Sequence, residues 1–139
     1  MSSCDDGNKP AFLASLTNDT PLNKDMVVKF DYVQTNNGNG YNPSTGIFTV
    51  PLPCVYEFSC NFIKSANSFQ LELGLMKNEQ VVVRGHSIDA KWATGSLLAT
   101  LNLERGDRIY TKHLRSDGGL MEATIPCFLD IRFRYKMHI

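Results

Sequence analysis

Three histidines, His86, His113 and His138, are the side chains of this 139-residue chain best suited to proton transfer or metal ligation, and they are scattered. No two stand at a spacing that would set them on one metal. The chain has no H-E-x-x-H, no G-x-S-x-G and no phosphate-cradling glycine loop. Asp5 and Asp6 are paired carboxylates, but in a polar leader. These residue types point away from catalysis and toward binding. Trp92, the single tryptophan, falls in an expected loop among Asp89, Lys91 and Thr94. An indole on a polar loop can stack on a sugar face or anchor a partner; the plainer alternative is a ring packed on its own loop or on a subunit seam. Arg84, His86 and Arg115 are expected on nearby loops, where their charge would suit anionic sugars or lipid headgroups. Asp117, within Ser116-Asp117-Gly118-Gly119, completes the candidate loop set.

Bulk properties narrow the class. Fourteen cations balance fourteen acids, so neither nucleic acid nor an anionic membrane is expected as the main partner, since both favour a basic surplus. No apolar run approaches the roughly 18 residues of a membrane-spanning helix. MSSCDDGNKP lacks the apolar segment of a signal peptide. The size fits one domain, read as a flexible leader over residues 1–9 and a globular domain over residues 10–139.

The elements that must carry these side chains read as strands. Phe12, Ala14 and Leu16 alternate, then Asn18-Asp19-Thr20-Pro21 turns; Asn18-Asp19-Thr20 is also a formal N-glycosylation sequon, disfavoured by Pro21. DMVVKFDYV (25–33) is expected as a second strand. Leu71, Leu73 and Leu75 continue the parity of Phe69, QVVVRGHS follows the turn Lys77-Asn78-Glu79, and Leu97, Ala99, Leu101 and Leu103 share one face. After Glu104-Arg105-Gly106-Asp107, RIYTKHL returns. The last strand, 123–135, sets Ile125, Cys127, Leu129, Ile131 and Phe133 against Asp130, Arg132 and, further on, Arg134, Lys136 and His138, either a core face with a solvated face or a basic stripe for an anionic partner. No long 3.6-period stripe is present. Short strands at this spacing predict an all-β two-sheet sandwich.

Between Phe30 and Phe58 the chain concentrates its turn chemistry, Asn36-Asn37-Gly38-Asn39-Gly40 and Asn42-Pro43-Ser44-Thr45-Gly46, and its rings. Phe30, Asn36, Tyr41, Phe48, Tyr56 and Phe58 stand at the intervals of the complement C1q globular head, which this stretch resembles; Cys54 and Cys60 depart from it at positions that are usually Gly and aromatic. AFLASL and ATGSLLATLNLERGDRIY resemble the family's opening and late strands. The resemblance implies a ten-stranded jelly roll of the tumour-necrosis-factor superfamily, a secreted homotrimer and no enzyme. It is most like stand-alone invertebrate members, which implies a lectin-like pattern-recognition role toward microbial glycans; a cytokine-like or synaptic-organiser-like ligand for protein receptors is the alternative.

The resemblance also bears on metal and cysteines. Several family members hold calcium through an Asp shortly before a small-small-Gly-Ser segment. Here Lys91 stands at that position before Ala93-Thr94-Gly95-Ser96, and an ammonium is no calcium ligand. No cofactor is expected, and Asp89 and Asp117 are the remaining candidates for a different calcium site. Cys54 and Cys60 share the parity of Tyr56 and Phe58, and Cys127 that of Leu129. Because the family pairs these two strands antiparallel, the resemblance favours a Cys60–Cys127 bridge over Cys54–Cys127. Buried thiols are the alternative. Cys4, in the leader, would be unpaired or would cross-link chains.

Overall fold

The computed structural model describes residues 9–18, 20–63, 71–87, 93–115, 121–123 and 125–133. Twelve strands occur among them: β1 (Ala11–Ser15), β2 (Thr20–Leu22), β3 (Tyr32–Asn37), β4 (Tyr41–Asn42), β5 (Ile47–Thr49), β6 (Cys54–Ile63), β7 (Glu72–Lys77), β8 (Gln80–His86), β9 (Thr94–Leu103), β10 (Arg108–His113), β11 (Met121–Ala123) and β12 (Ile125–Phe133). Ten of them form two five-stranded sheets, ordered β3-β1-β12-β6-β9 and β4-β5-β10-β7-β8, and β2 pairs with β11 in a small ribbon. This is the expected jelly roll. Apart from Lys9, the expected leader lies outside the described residues.

Period-two patterning builds the first sheet. Along β6, Cys54, Tyr56, Phe58, Cys60 and Phe62 are buried, while the residues between them are partly or fully exposed. The same alternation buries Leu97 and Leu103 on β9 and leaves Leu98 exposed. Inside, rings make a continuous stack. Phe12 lies on Tyr41 at 4.3 Å between centroids and on Phe48 at 5.3 Å, and Phe48 meets the edges of Tyr56 and Phe58. Each fully buried ring of this size contributes on the order of 1.5–3 kcal/mol through loss of apolar surface from water.

The spacing of the motif has a hydrogen-bonding cause. Asn36 donates from its amide to the Tyr41 carbonyl (2.8 Å) and accepts from the Tyr41 N–H (3.1 Å), closing the turn between β3 and β4. Asn39 within that turn has φ +55°, as the turn chemistry requires. Gly46 has φ +78°, and a Cβ there would lie 2.5 Å from the Val28 carbonyl oxygen, so only glycine fits.

The expected strand over 25–33 differs from the observed one. Asp25 has φ +67°, which breaks the extended conformation. The segment instead docks on β10 through Asp25 N–H to His113 O, His113 N–H to Met26 O and Val28 N–H to Thr111 O. Val27 makes only an isolated antiparallel bridge to Lys112, and a continuous strand starts at Tyr32.

Candidate functional site

The end of the sandwich that carries the candidate cations is assembled from strand ends of both sheets. Thr94, which opens β9, pairs with Ile63, which closes β6, and Ile63 also pairs with Ile125 at the start of β12. In the other sheet, Glu72 opens β7 opposite His86, which closes β8, and β10 ends beside them at His113. Two contacts tie the sheets and strand ends together. Ser87, fully buried, donates its N–H to Leu71 O at 2.9 Å and accepts the Leu71 N–H on its hydroxyl at 3.1 Å. Gly85 abuts β9 so closely that a Cβ would sit 2.5 Å from the Ser96 carbonyl oxygen.

On this scaffold Arg84 and His86 share the exposed parity of β8. Glu72 lies directly across from His86 and diagonally from Arg84, whose Nη1 is 3.4 Å from the Glu72 carboxylate. The Arg84 side chain is 57% exposed, so the pair sits in water, where such bridges contribute little to stability. Leu114 donates its N–H to Glu72 O at 2.8 Å, which brings Arg115, one residue further, to the same end. Arg84 and His86 thus flank Glu72, a residue that sequence reading passed over as an alternating polar position, and Arg115 follows at the same end. A pair at diagonal register is a signal only once the β7–β8 pairing is known.

Lys91, Trp92 and Asp89 lie outside the described residues, as does Asp117. Residues 88–92 lead from the His86 end of β8 to β9, and residues 116–120 lead from Arg115 to β11. Among the described residues no cluster of three or more His, Cys, Asp or Glu side chains could hold a metal. His113 is buried, and its Nδ1 lies 3.2 Å from the Asn23 carbonyl oxygen, a structural position rather than a solvent-facing one.

The cysteines depart from expectation. Cys54 is disulfide-bonded, and Cys60 is a buried thiol outside any disulfide. The Cys60–Cys127 bridge is therefore overturned. Register gives the reason: Leu129, not Cys127, stands opposite Cys60, and a bulge between Ile125 and Phe128 shifts the pairing just where Cys127 falls. The side chains of the last strand, including its basic parity, lie outside the described residues.

Comparison with known proteins agrees with this architecture. Residues 11–126 match the C1q domain family. Caprin-2 of Danio rerio is 34% identical over 105 residues, covering 73% of this chain and 12% of that protein. A complement C1q subcomponent of Homo sapiens is 31% identical over 105 residues, covering 73% of this chain and 41% of that one. The match thus spans less than half the length of either relative. Among solved structures, the globular domain of zebrafish complement 1qA protein superposes with a TM-score of 0.75 at 20% identity, covering 93% of this chain and all of that one. The Eiger tumour necrosis factor of S. frugiperda superposes with a TM-score of 0.65 at 12% identity, covering 93% and 97%. At those identities the superpositions speak to fold alone. Among the described residues no helix is long and apolar enough to cross a membrane.

Proposed function

The chain belongs to the C1q-domain family, and from that premise we propose that it is a secreted recognition protein of innate defence. In this reading it forms a homotrimer and binds microbial surface glycans, without a metal, through the end of the sandwich that bears Arg84, His86 and Arg115. Family members of this fold are typically trimeric, bind proteins or other ligands and are generally not enzymes. The disulfide at Cys54 supports passage through an oxidising compartment.

The observation that carries the reading is the gathering of Arg84, His86 and the approach to Arg115 around Glu72, on a rigid strand end with exposed side chains. The exposed Arg84 guanidinium matches a sugar carboxylate or sulfate through paired N–H donors, and an acidic ligand would compete with Glu72 for it. Trp92 and Lys91, in the connection that leaves β8 beside His86, would add a stacking face and a further charge. Weak single-site affinity would be raised by three linked copies.

A glycan-array screen of the purified chain, with calcium and again with chelator, tests it. Saturable binding that survives chelation and falls with Arg84→Ala and Trp92→Ala is expected. A second reading, a ligand for protein receptors, is favoured by exposed Val81 and Val82 on β8 and by Leu98, 60% exposed on β9. Absence of glycan binding by a verified trimer would move the assignment to that reading.

A further inference from the structure

We propose that Asn37 is a site of spontaneous chemical modification, where attack by the Gly38 backbone nitrogen converts the side-chain amide into aspartate and isoaspartate.

The turn after β3 carries two Asn-Gly pairs, Asn37-Gly38 and Asn39-Gly40. Glycine after asparagine leaves the attacking nitrogen unshielded, because no Cβ stands beside it. The fold requires both glycines. Gly38 has φ +83°, the value that the third position of a type II turn demands, and the Asn39 N–H closes that turn on Asn36 O at 3.1 Å. A Cβ on Gly40 would lie 2.5 Å from the Phe48 ring. Neither pair can lose its glycine without straining the turn or the core beside it.

The two pairs differ in what holds them. The Gly40 carbonyl accepts the Thr49 N–H at 2.9 Å and the residue packs on Phe48, which fixes the 39–40 peptide. Gly38 sits at the open tip, where among the described residues a Cβ would meet only the Pro10 Cα, at 4.0 Å. Tyr41 pins the side chain of Asn36, and the Ser44 N–H pins that of Asn42. Asn37 is exposed, and among the described residues no side-chain hydrogen bond holds its amide. Nor does any hydrogen bond outside the strand ladders engage the Gly38 N–H among them. The 37–38 peptide is thus the one able to rotate and bring Gly38 N onto the Asn37 Cγ.

The Gly38 nitrogen, once deprotonated, bonds to the Asn37 Cγ. The bond from Cγ to the amide nitrogen breaks, ammonia leaves, and a five-membered succinimide closes. Water then adds to one of the two ring carbonyl carbons, and the bond from that carbon to the ring nitrogen breaks. Opening at Cγ yields aspartate. Opening at the main-chain carbonyl yields isoaspartate, whose backbone runs through Cβ and Cγ and is one carbon longer. Either product adds a negative charge to a chain whose fourteen cations and fourteen acids balance. Isoaspartate also disturbs the pairing of residue 37 with Ala11 at the end of the β1–β3 ladder. β1 runs parallel to β6 across β12, so Asn37 lies toward the Cys54 end of the sheet, away from Ile63 and the candidate glycan site. The modification is therefore independent of that site.

The test holds the folded chain in mildly alkaline buffer made with heavy-oxygen water, maps its peptides by mass and counts isoaspartate with an isoaspartate methyltransferase. Conversion at Asn37 should exceed that at Asn39 several-fold, with a heavy oxygen gained from water and isoaspartate the larger product. The rate should rise with pH, because the attacking nitrogen must lose its proton. In the urea-unfolded chain the two pairs should react alike. Asn37→Ser should remove the acidic variant seen on ion exchange. Asn39→Gly, which suits the positive φ there, should leave it. Faster conversion at Asn39, or a folded chain whose Asn37 stays intact while the unfolded chain reacts, would overturn the inference.

Discussion

The Tyr41 hydroxyl and the backbone of Phe30 exchange two hydrogen bonds: Phe30 N–H donates to the phenol oxygen at 2.9 Å, and the phenol donates to the Phe30 carbonyl at 3.0 Å. This buried clamp holds an irregular segment, which lies outside the strand ladders at that point, against the ring stack of Phe12, Tyr41 and Phe48. It gives the hydroxyl of Tyr41 a structural role that a bare ring would not fill. Tyr41→Phe keeps the ring but leaves a buried N–H and C=O unsatisfied, at a cost of about 1–3 kcal/mol. Urea denaturation should show a lower midpoint with an unchanged slope.

Glu72 sets the state of the candidate site. Replacing it with Gln removes the carboxylate that Arg84 faces, and because the pair is exposed the thermal midpoint should hardly move. Affinity for an acidic glycan should rise several-fold, while Arg84→Ala should lower it. Isothermal titration of both variants checks this; equal affinities in both would place binding elsewhere.

Acid stability should depend on Asp31. Its carboxylate accepts the Thr17 hydroxyl at 2.6 Å and the Thr17 N–H at 3.0 Å, and these bonds hold its pKa below the ordinary 3.8. A depressed folded value means the contribution is present above 3.8 and is lost as pH falls through the folded value. Asp31→Asn should therefore be less stable than the parent at neutral pH, and the gap should close in acid. Denaturation midpoints measured across that range decide it.

At the alkaline end the relevant group is Tyr56. Burial raises its pKa from 10.0 to about 12, against the opposing hydrogen bond of its hydroxyl to Leu52 O at 2.7 Å. The folded state keeps the phenol neutral, so this stabilisation is complete below pH 10 and is lost as pH rises toward 12. In a spectrophotometric titration of the phenolates, the Tyr56 step should come late, and Tyr56→Phe should remove that step.

Much of the fold was legible because its signals are local. Alternation along β6 and β9 directly states which side chains meet the core, and Asn and Gly mark the turns whose positive φ they tolerate. Where a local signal was overruled, a specific backbone feature did it. Met26, Val27 and Val28 read as strand, yet Asp25 at φ +67° turns the segment onto β10 by a few separate hydrogen bonds instead of a ladder.

Period-two hydrophobicity and turn chemistry act over a few residues, so the sandwich, its ring core and its family could be read from the order of amino acids alone. Which residues meet across strands came only from the assembled sheets. Cys60 and Cys127 shared the right parity, but parity says which face a side chain takes, not which residue stands opposite. The register of β12 on β6 puts Leu129 there, and a bulge between Ile125 and Phe128 interrupts the pairing where Cys127 falls. The meeting of Arg84 with Glu72 has the same cause: residues on separate strands come together through register, which the whole set of strand contacts fixes at once.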